Sequence, residues 1–272
     1  MVQPVTLRLS SLTHRGCVRA SNEDRALVRP LPRGAFFGVC DGMGGARGGE
    51  VASTVTVETL DEAASAEPPS TADSAARLVV AALRTASRRV HTLSKVRHPV
   101  DLEGMGTTAS VAAIVGDRMV LGQVGDSRVY VLRAGALRQV TRDQSLAQVL
   151  VERGQLRPED MDRFELRNVI LQAVGPSPSV DVDVRAVALG DGDVVLACSD
   201  GLYGAVGADE MTRLLLDHAD PAEACRALMD AALAAGASDN VTCVVVAVRG
   251  GPDRAREPVV AEPYVLADGG AF

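Results

Sequence analysis

A chain of 272 residues that is 47% hydrophobic and 23% charged can bury a sizeable core and is too evenly mixed for a fibrous or disordered protein. Its formal charge of −7 argues against a nucleic-acid partner, which calls for a basic face, and no run approaches the ~18 consecutive apolar residues of a membrane span. Cysteines at 17, 40, 198, 225 and 243 form no Cys-x-x-Cys pair, and residues 1–10 lack a charged start and a long apolar segment, so a soluble, cytoplasmic protein with reduced thiols is expected.

Weak alternation over Val5–Leu12 predicts a first strand. A polar, charged stretch, Arg15 to Arg25, leads to a short strand, Ala26–Val28, before Pro30, Pro32 and Gly34 break the pattern. The apolar run Phe36–Cys40 reads as a buried strand that stops at Asp41, and three of the next four residues are glycines. Glycine there lets a main-chain carbonyl approach a ligand closely or allows positive φ. Helical spacing follows over Gly49–Ala64, and Thr71-Ala72-Asp73 caps a second helix running towards Val96. Strands are expected at Ser110–Val115, Met119–Val124, Arg128–Arg133 and Leu137–Val140, forming an antiparallel meander. Residues 142–175 form a polar, helix-leaning insertion (Ser145–Arg153, Pro158–Phe164, Arg167–Ala173). Strands Val180–Ala188 and Asp193–Cys198, helices Ala208–His218 and Pro221–Ala235, and a last strand Val241–Val248 complete the body. The tail, 250–272, is rich in Pro, Gly and charge and reads as mobile.

Four aspartates share one setting. Asp41, Asp126 and Asp200 each follow an apolar strand, and Asp239 precedes one. Strand ends of one sheet system share an edge, so these acids can converge, and clustered carboxylates stay ionised only with cations between them. Carboxylates, main-chain carbonyls and water are the ligands of hard ions such as Mg²⁺ or Mn²⁺, and the absence of histidine from these motifs argues against zinc. The competing reading is four ordinary turn aspartates.

Other motifs carry less. Gly104-Met105-Gly106-Thr107-Thr108-Ala109 fits a dinucleotide fingerprint, but Ser110–Val115 reads as a strand where that motif needs a helix. Cys243 and Arg249 have the spacing of a cysteine-dependent phosphatase, yet the residues between them read as a buried strand. Asp181-Val182-Asp183 lacks the apolar strand an aspartyl nucleophile needs before it, and His14, His91, His98 and His218 are isolated.

In order, Arg19-Ala20-Ser21-Asn22-Glu23-Asp24, Asp41-Gly42-Met43-Gly44-Gly45, Gly104-Met105-Gly106-Thr107-Thr108, Gly125-Asp126-Ser127-Arg128, Ser199-Asp200-Gly201-Leu202 and Ser238-Asp239-Asn240-Val241-Thr242 resemble the metal-dependent protein phosphatases of type 2C, the PPM family. The resemblance spans residues 5–249 and implies an α/β (α+β) fold: two antiparallel sheets packed as a sandwich, with helices on both outer faces. One phosphatase domain over 1–249 is expected, with 142–175 as the flap of bacterial members, a segment that influences substrate access. The implied activity is hydrolysis of phosphoserine and phosphothreonine on proteins, using Mn²⁺ or Mg²⁺, two ions with a weaker third. By resemblance, Asp41 bridges two ions, with the Gly42 carbonyl on one and Asp200 and Asp239 completing the other. Glu23 and Asp24 hold metal-bound waters, Asp126 with Asp200 forms the weaker site, and Arg19 grips the phosphate. The implied partners are phosphorylated substrates of a bacterial Ser/Thr kinase, met by a monomeric enzyme. An inactive, metal-loaded phosphoprotein-binding module and a nicotinamide-dependent oxidoreductase are the rival classes.

Two positions depart from the family pattern. Met43 stands where many eukaryotic members carry a histidine, which leaves open how the leaving group is protonated. Gln144 stands where a histidine is usual at the start of the flap, which bears on how the flap is positioned.

Overall fold

A strand such as Val241–Arg249, with eight apolar or small residues in nine, must be covered on both faces. The computed structural model describes residues 4–44, 48–96 and 102–267. The first half of the chain forms β1 (Thr6–His14), β2 (Arg25–Leu31), β3 (Gly34–Cys40), β4 (Gly42–Met43), α1 (Gly48–Ala66), α2 (Ala72–Ser94), β5 (Gly106–Thr107), β6 (Ala109–Val115), β7 (Arg118–Val124), β8 (Arg128–Arg133) and β9 (Ala136–Gln139). The second half forms α3 (Leu146–Glu152), a 3-10 turn (Pro158–Arg163), β10 (Asp183–Ala188), β11 (Val194–Cys198), α4 (Asp200–Tyr203), α5 (Ala208–Asp217), α6 (Pro221–Ala234), β12 (Val241–Arg249) and β13 (Glu262–Pro263).

Two antiparallel sheets, ordered β1-β12-β11-β8-β9 and β13-β10-β7-β6-β3-β2, pack face to face, while β4 pairs only with β5. Alternation along each strand divides its side chains between two cores. Phe37, Val39, Ile114 and Leu121 of one sheet meet Val131, Val195, Val244 and Val246 of the other between the layers. Their neighbours Phe36, Val111 and Val120 face outward onto Leu60, Val79 and Leu83 of α1 and α2. On the opposite face, Leu196, Cys243 and Val245 pack under Met211 and Leu228 of α5 and α6. The fold is therefore the expected sandwich with a helical layer on each side. The cap of α2 also has the expected form: Thr71 Oγ1 accepts from Ser74 N, and Ser74 Oγ accepts from Thr71 N.

Several elements differ from the sequence reading. β2 runs through Pro30 because it is an edge strand, where a missing N–H breaks no ladder. The expected meander is divided: β6 and β7 lie in one sheet, β8 and β9 in the other, and the chain crosses between sheets at Gly125-Asp126. Residues 167–173 are not helical; they are tied back by the bridges Ser145↔Ile170 and Thr107↔Val174. From Gly250 to Ala267 the tail lies on the body instead of leaving it. β13 extends the ladder of β10, Tyr264 donates its hydroxyl to Asp73 at 2.6 Å, and Leu266 is 2% exposed. An open sheet edge and one apolar anchor outweigh a composition that reads as loose. Gly45, His98 and residues 268–272 lie outside the described residues.

Candidate metal centre

The antiparallel registers bring one end of many strands to one rim of the sandwich. Asp24 precedes β2 and lies across from the end of β3, where Asp41 begins, since Arg25 pairs with Cys40. Cys198 pairs with Cys243 in the other sheet, so the end of β11, carrying Asp200, adjoins the start of β12, preceded by Asp239. Asp126 follows β7 at the crossing between sheets. Arg19 and Glu23 lie on the loop from β1 to β2, above the same rim.

Side-chain contacts confirm the convergence of these residues. Arg19 Nη2 forms an ion pair with Asp239 Oδ2 at 2.7 Å, and Glu23 and Asp41 also act on its charge. Asp24 is fully buried; its Oδ2 accepts from Ser199 Oγ at 2.7 Å, and the same Oγ accepts from Thr242 N at 3.0 Å. Ser199 thus ties the two sheets together beneath the acids. Asp41 N donates to Thr108 Oγ1, and its carbonyl accepts from Thr108 N and Thr107 Oγ1. Gly42 permits this packing: a Cβ there would sit 2.2 Å from Gly49 O and 2.5 Å from Glu23 O. Close backbone approach, not positive φ, is what requires glycine at 42.

Asn240 and a buried polar cluster provide support that the sequence did not reveal. Asn240 accepts from Glu23 N and donates to the Arg15 and Ser21 carbonyls, holding the Arg19–Asp24 loop onto the start of β12. Ser110, Gln123 and Ser127 bond one another, and Ser127 Oγ meets Thr108 Oγ1 at 2.7 Å, so the turns bearing Asp41 and Asp126 share one support. Ser199 and Asn240 stand next to aspartates singled out by their position, and that adjacency was the only available signal.

The electrostatics are those of acids lacking a counter-charge. Burial, reinforced by Asp24, Asp200, Asp126 and Asp239, pushes the Asp41 carboxyl well above the carboxylate range. Burial raises Asp24 to about 6 and Asp126 to about 7, with Asp200 reinforcing both. Asp200 is raised by burial and then by Asp239, and Glu23 by burial. Asp41 is only half-buried by surface area, yet the charges of both Asp24 and Asp200 act on it. Asp24 Oδ1 and Asp200 Oδ1 are buried with no donor. Facing carboxylates with orphaned oxygens require protons or cations between them. A donor set made only of oxygen suits hard divalent ions.

A cleft of 700 Å³ runs from Asp126, Asp200 and Asp239 to Met161, Arg167 and Asn168 of the 142–175 insertion, which thus forms one wall beside the acids. Its root is pinned at Gln144, whose Oε1 accepts from Gly125 N at 2.8 Å while its main-chain N donates to Gly125 O. The other singled-out motifs do not form the sites their spacing suggested, and Thr107 and Thr108 of the 104–109 stretch instead support Asp41. Cys243 and Arg249 are within β12, Ala109–Val115 is a strand, and Asp183 pairs with Arg185. His14 accepts from Gly16 N, His91 lies beside the Gly175 and Pro176 carbonyls, and His218 ends α5.

The sequence model of the Protein phosphatase 2C family matches residues 16–235. This chain belongs to that family. Among protein phosphatase 2C relatives, the Ser/Thr protein phosphatase PstP of Mycobacterium tuberculosis is 36% identical over 245 residues, covering 90% of this chain and 45% of PstP. The chain therefore spans under half the length of that relative. The Ser/Thr phosphatase Stp of Listeria monocytogenes is 34% identical over 237 residues, covering 86% of this chain and 93% of Stp. The crystal structure of the PstP catalytic domain in complex with two manganese ions superposes with a TM-score of 0.78 at 33% identity, covering 90% of this chain and 99% of that one. The protein phosphatase 2C fold expected from the motifs is thus the fold observed. Among the described residues no helix is long and apolar enough to cross a membrane.

Proposed function

We propose that this protein is a metal-dependent protein serine/threonine phosphatase acting on phosphoserine and phosphothreonine in proteins. The observation that carries the reading is the convergence of Asp24, Asp41, Asp126, Asp200 and Asp239 at one rim, with two buried carboxylate oxygens left without donors. Asp41, Gly42, Asp200 and Asp239 would hold two Mn²⁺ or Mg²⁺ ions, with Asp126 and Asp200 serving a weaker third and Glu23 and Asp24 contributing through water. Divalent ions so placed make water a nucleophile near neutral pH and offset the charge of the phosphate.

The chain's own residues do the rest. Arg19, 55% exposed at the rim, presents a planar guanidinium suited to two phosphate oxygens, and release of Asp239 to a cation frees it for that task. Ser199 and Asn240 fix the loop and strand ends so that the acids need not rearrange when substrate arrives. The insertion wall, with Arg167 and Asn168, lines the same cleft and would face the peptide on either side of the phosphorylated residue. A kinase-modified protein with an accessible phosphorylated loop fits such an open cleft. A reducing cytoplasm suits the five unpaired cysteines.

The test is release of inorganic phosphate from phosphoserine and phosphothreonine peptides with Mn²⁺, against the same mixture containing EDTA. Metal-dependent turnover is expected. Tight peptide binding without turnover would instead make the protein a phosphoprotein-binding module.

A further inference from the structure

Asp126 and Asp200 lie two residues beyond the last pair of the β8–β11 ladder, Arg128↔Cys198, so no ladder hydrogen bond joins the two residues themselves. Tyr203 spans that gap. It ends the short helix that Asp200 begins, and residues three apart on a helix share a face. Its hydroxyl donates to the main-chain carbonyl of Asp126 at 3.2 Å. Its ring lies under Arg128, with Cζ 3.8 Å from the ring centroid. Arg128 has little freedom: Nε and Nη2 reach Asp143 Oδ2 at 3.0 and 2.7 Å, and Nη1 reaches Tyr130 Oη at 3.3 Å. Asp143 is 6% exposed and adjoins Gln144, which is bonded to Gly125, the residue before Asp126. One side chain therefore connects the helix of Asp200 to the turn of Asp126, and does so against a guanidinium clamped from the far side.

We propose that Tyr203 is a positioning residue that sets the spacing of Asp126 and Asp200, and through it the affinity of the weaker cation shared by that pair. The inference rests on the reading of these carboxylates as metal ligands. The ring acts through Arg128 and the hydroxyl through the Asp126 carbonyl, so the two contributions are separable. Tyr203→Phe keeps the stack and loses only the hydrogen bond; Tyr203→Ala loses both.

The experiment is Mn²⁺ binding to each purified protein, followed by electron paramagnetic resonance of the free ion, together with phosphopeptide turnover against Mn²⁺ concentration. Tyr203→Ala should weaken only the weakest-binding ion, by about tenfold, the low end for loss of a group behind a metal ligand. Tyr203→Phe should weaken the same ion by about fivefold, the effect of one neutral hydrogen bond. The Mn²⁺ concentration for half-maximal turnover should move by the same factors, and the tighter ions should be unaffected. The proposal is overturned if all ions weaken together, or if the ions are unaffected while only thermal stability falls. Should Tyr203→Ala fail to fold, Tyr203→Phe alone decides. Wild-type protein that turns over phosphopeptide normally while Tyr203→Phe titrates identically refutes this inference and leaves the phosphatase reading standing. Wild-type protein that binds no Mn²⁺ refutes both.

Discussion

Loading the site with Mn²⁺ should expel protons, in a number that depends on pH. With Asp126 raised to about 7 and Asp24 to about 6, these two groups hold about 1.4 protons at pH 6 and about 0.1 at pH 8 in the metal-free protein. Metal ligation and the field of the ions favour the carboxylates, so those protons leave on loading. Proton release per protein should therefore fall by about 1.3 between pH 6 and pH 8. Isothermal titration of metal-free protein with Mn²⁺ in buffers of differing ionisation enthalpy counts the protons directly. The same shifts fix a sign for stability. A carboxyl raised in the folded state favours folding below the ordinary carboxylate range and loses that contribution as pH rises through its folded value. Metal-free protein should thus lose stability from pH 5 to pH 8, by roughly 3 kcal/mol from Asp126 alone if its shift from 3.8 to about 7 is realised in full. Mn²⁺ should abolish the trend. Proton release that is constant or rises with pH, or metal-free stability that climbs over this range, would refute the picture of acids crowded without a counter-charge.

Ser199→Ala removes the donor to Asp24 and the acceptor for Thr242 N, and should lower unfolding free energy by about 2–4 kcal/mol in urea titrations. An unchanged midpoint would mean that Ser199 does not brace the sheets. Asp41→Asn should raise the melting temperature of metal-free protein at pH 8, because it relieves repulsion by Asp24 and Asp200, while eliminating turnover. A lower melting temperature would contradict that electrostatic assignment. Arg19→Ala should raise KM at least about tenfold with much less change in kcat, since a charged hydrogen bond to phosphate holds ground and transition states alike. A loss confined to kcat, measured by steady-state kinetics on a phosphothreonine peptide, would place Arg19 on the transition state instead.

Strand ends were legible in the sequence because each site acid adjoins a run such as Phe36–Cys40 or Val241–Val248, whose burial on both faces permits few other readings. Sheet membership was not. The chain crosses from one sheet to the other at Gly125-Asp126, a turn locally indistinguishable from the hairpin turn at Gly116-Asp117. The supports were hidden for another reason. Ser199, Asn240 and Gln123 act through partners 13 to 225 residues or only two to four residues away, and neither kind of pairing leaves a periodic trace. Tyr203 was invisible likewise, since a four-residue helix is too short to show helical spacing. The tail misled because Pro, Gly and charge describe its composition but not the open edge of β10 that receives it.

The central claim, that these strand-end carboxylates hold the ions that drive hydrolysis, is tested most directly by anomalous diffraction from crystals grown with Mn²⁺. Two strong peaks should flank Asp41, one of them reached by Asp200 and Asp239, with a weaker peak beside Asp126. Absence of any peak at this rim, or Mn²⁺ found only elsewhere on the protein, would contradict the account.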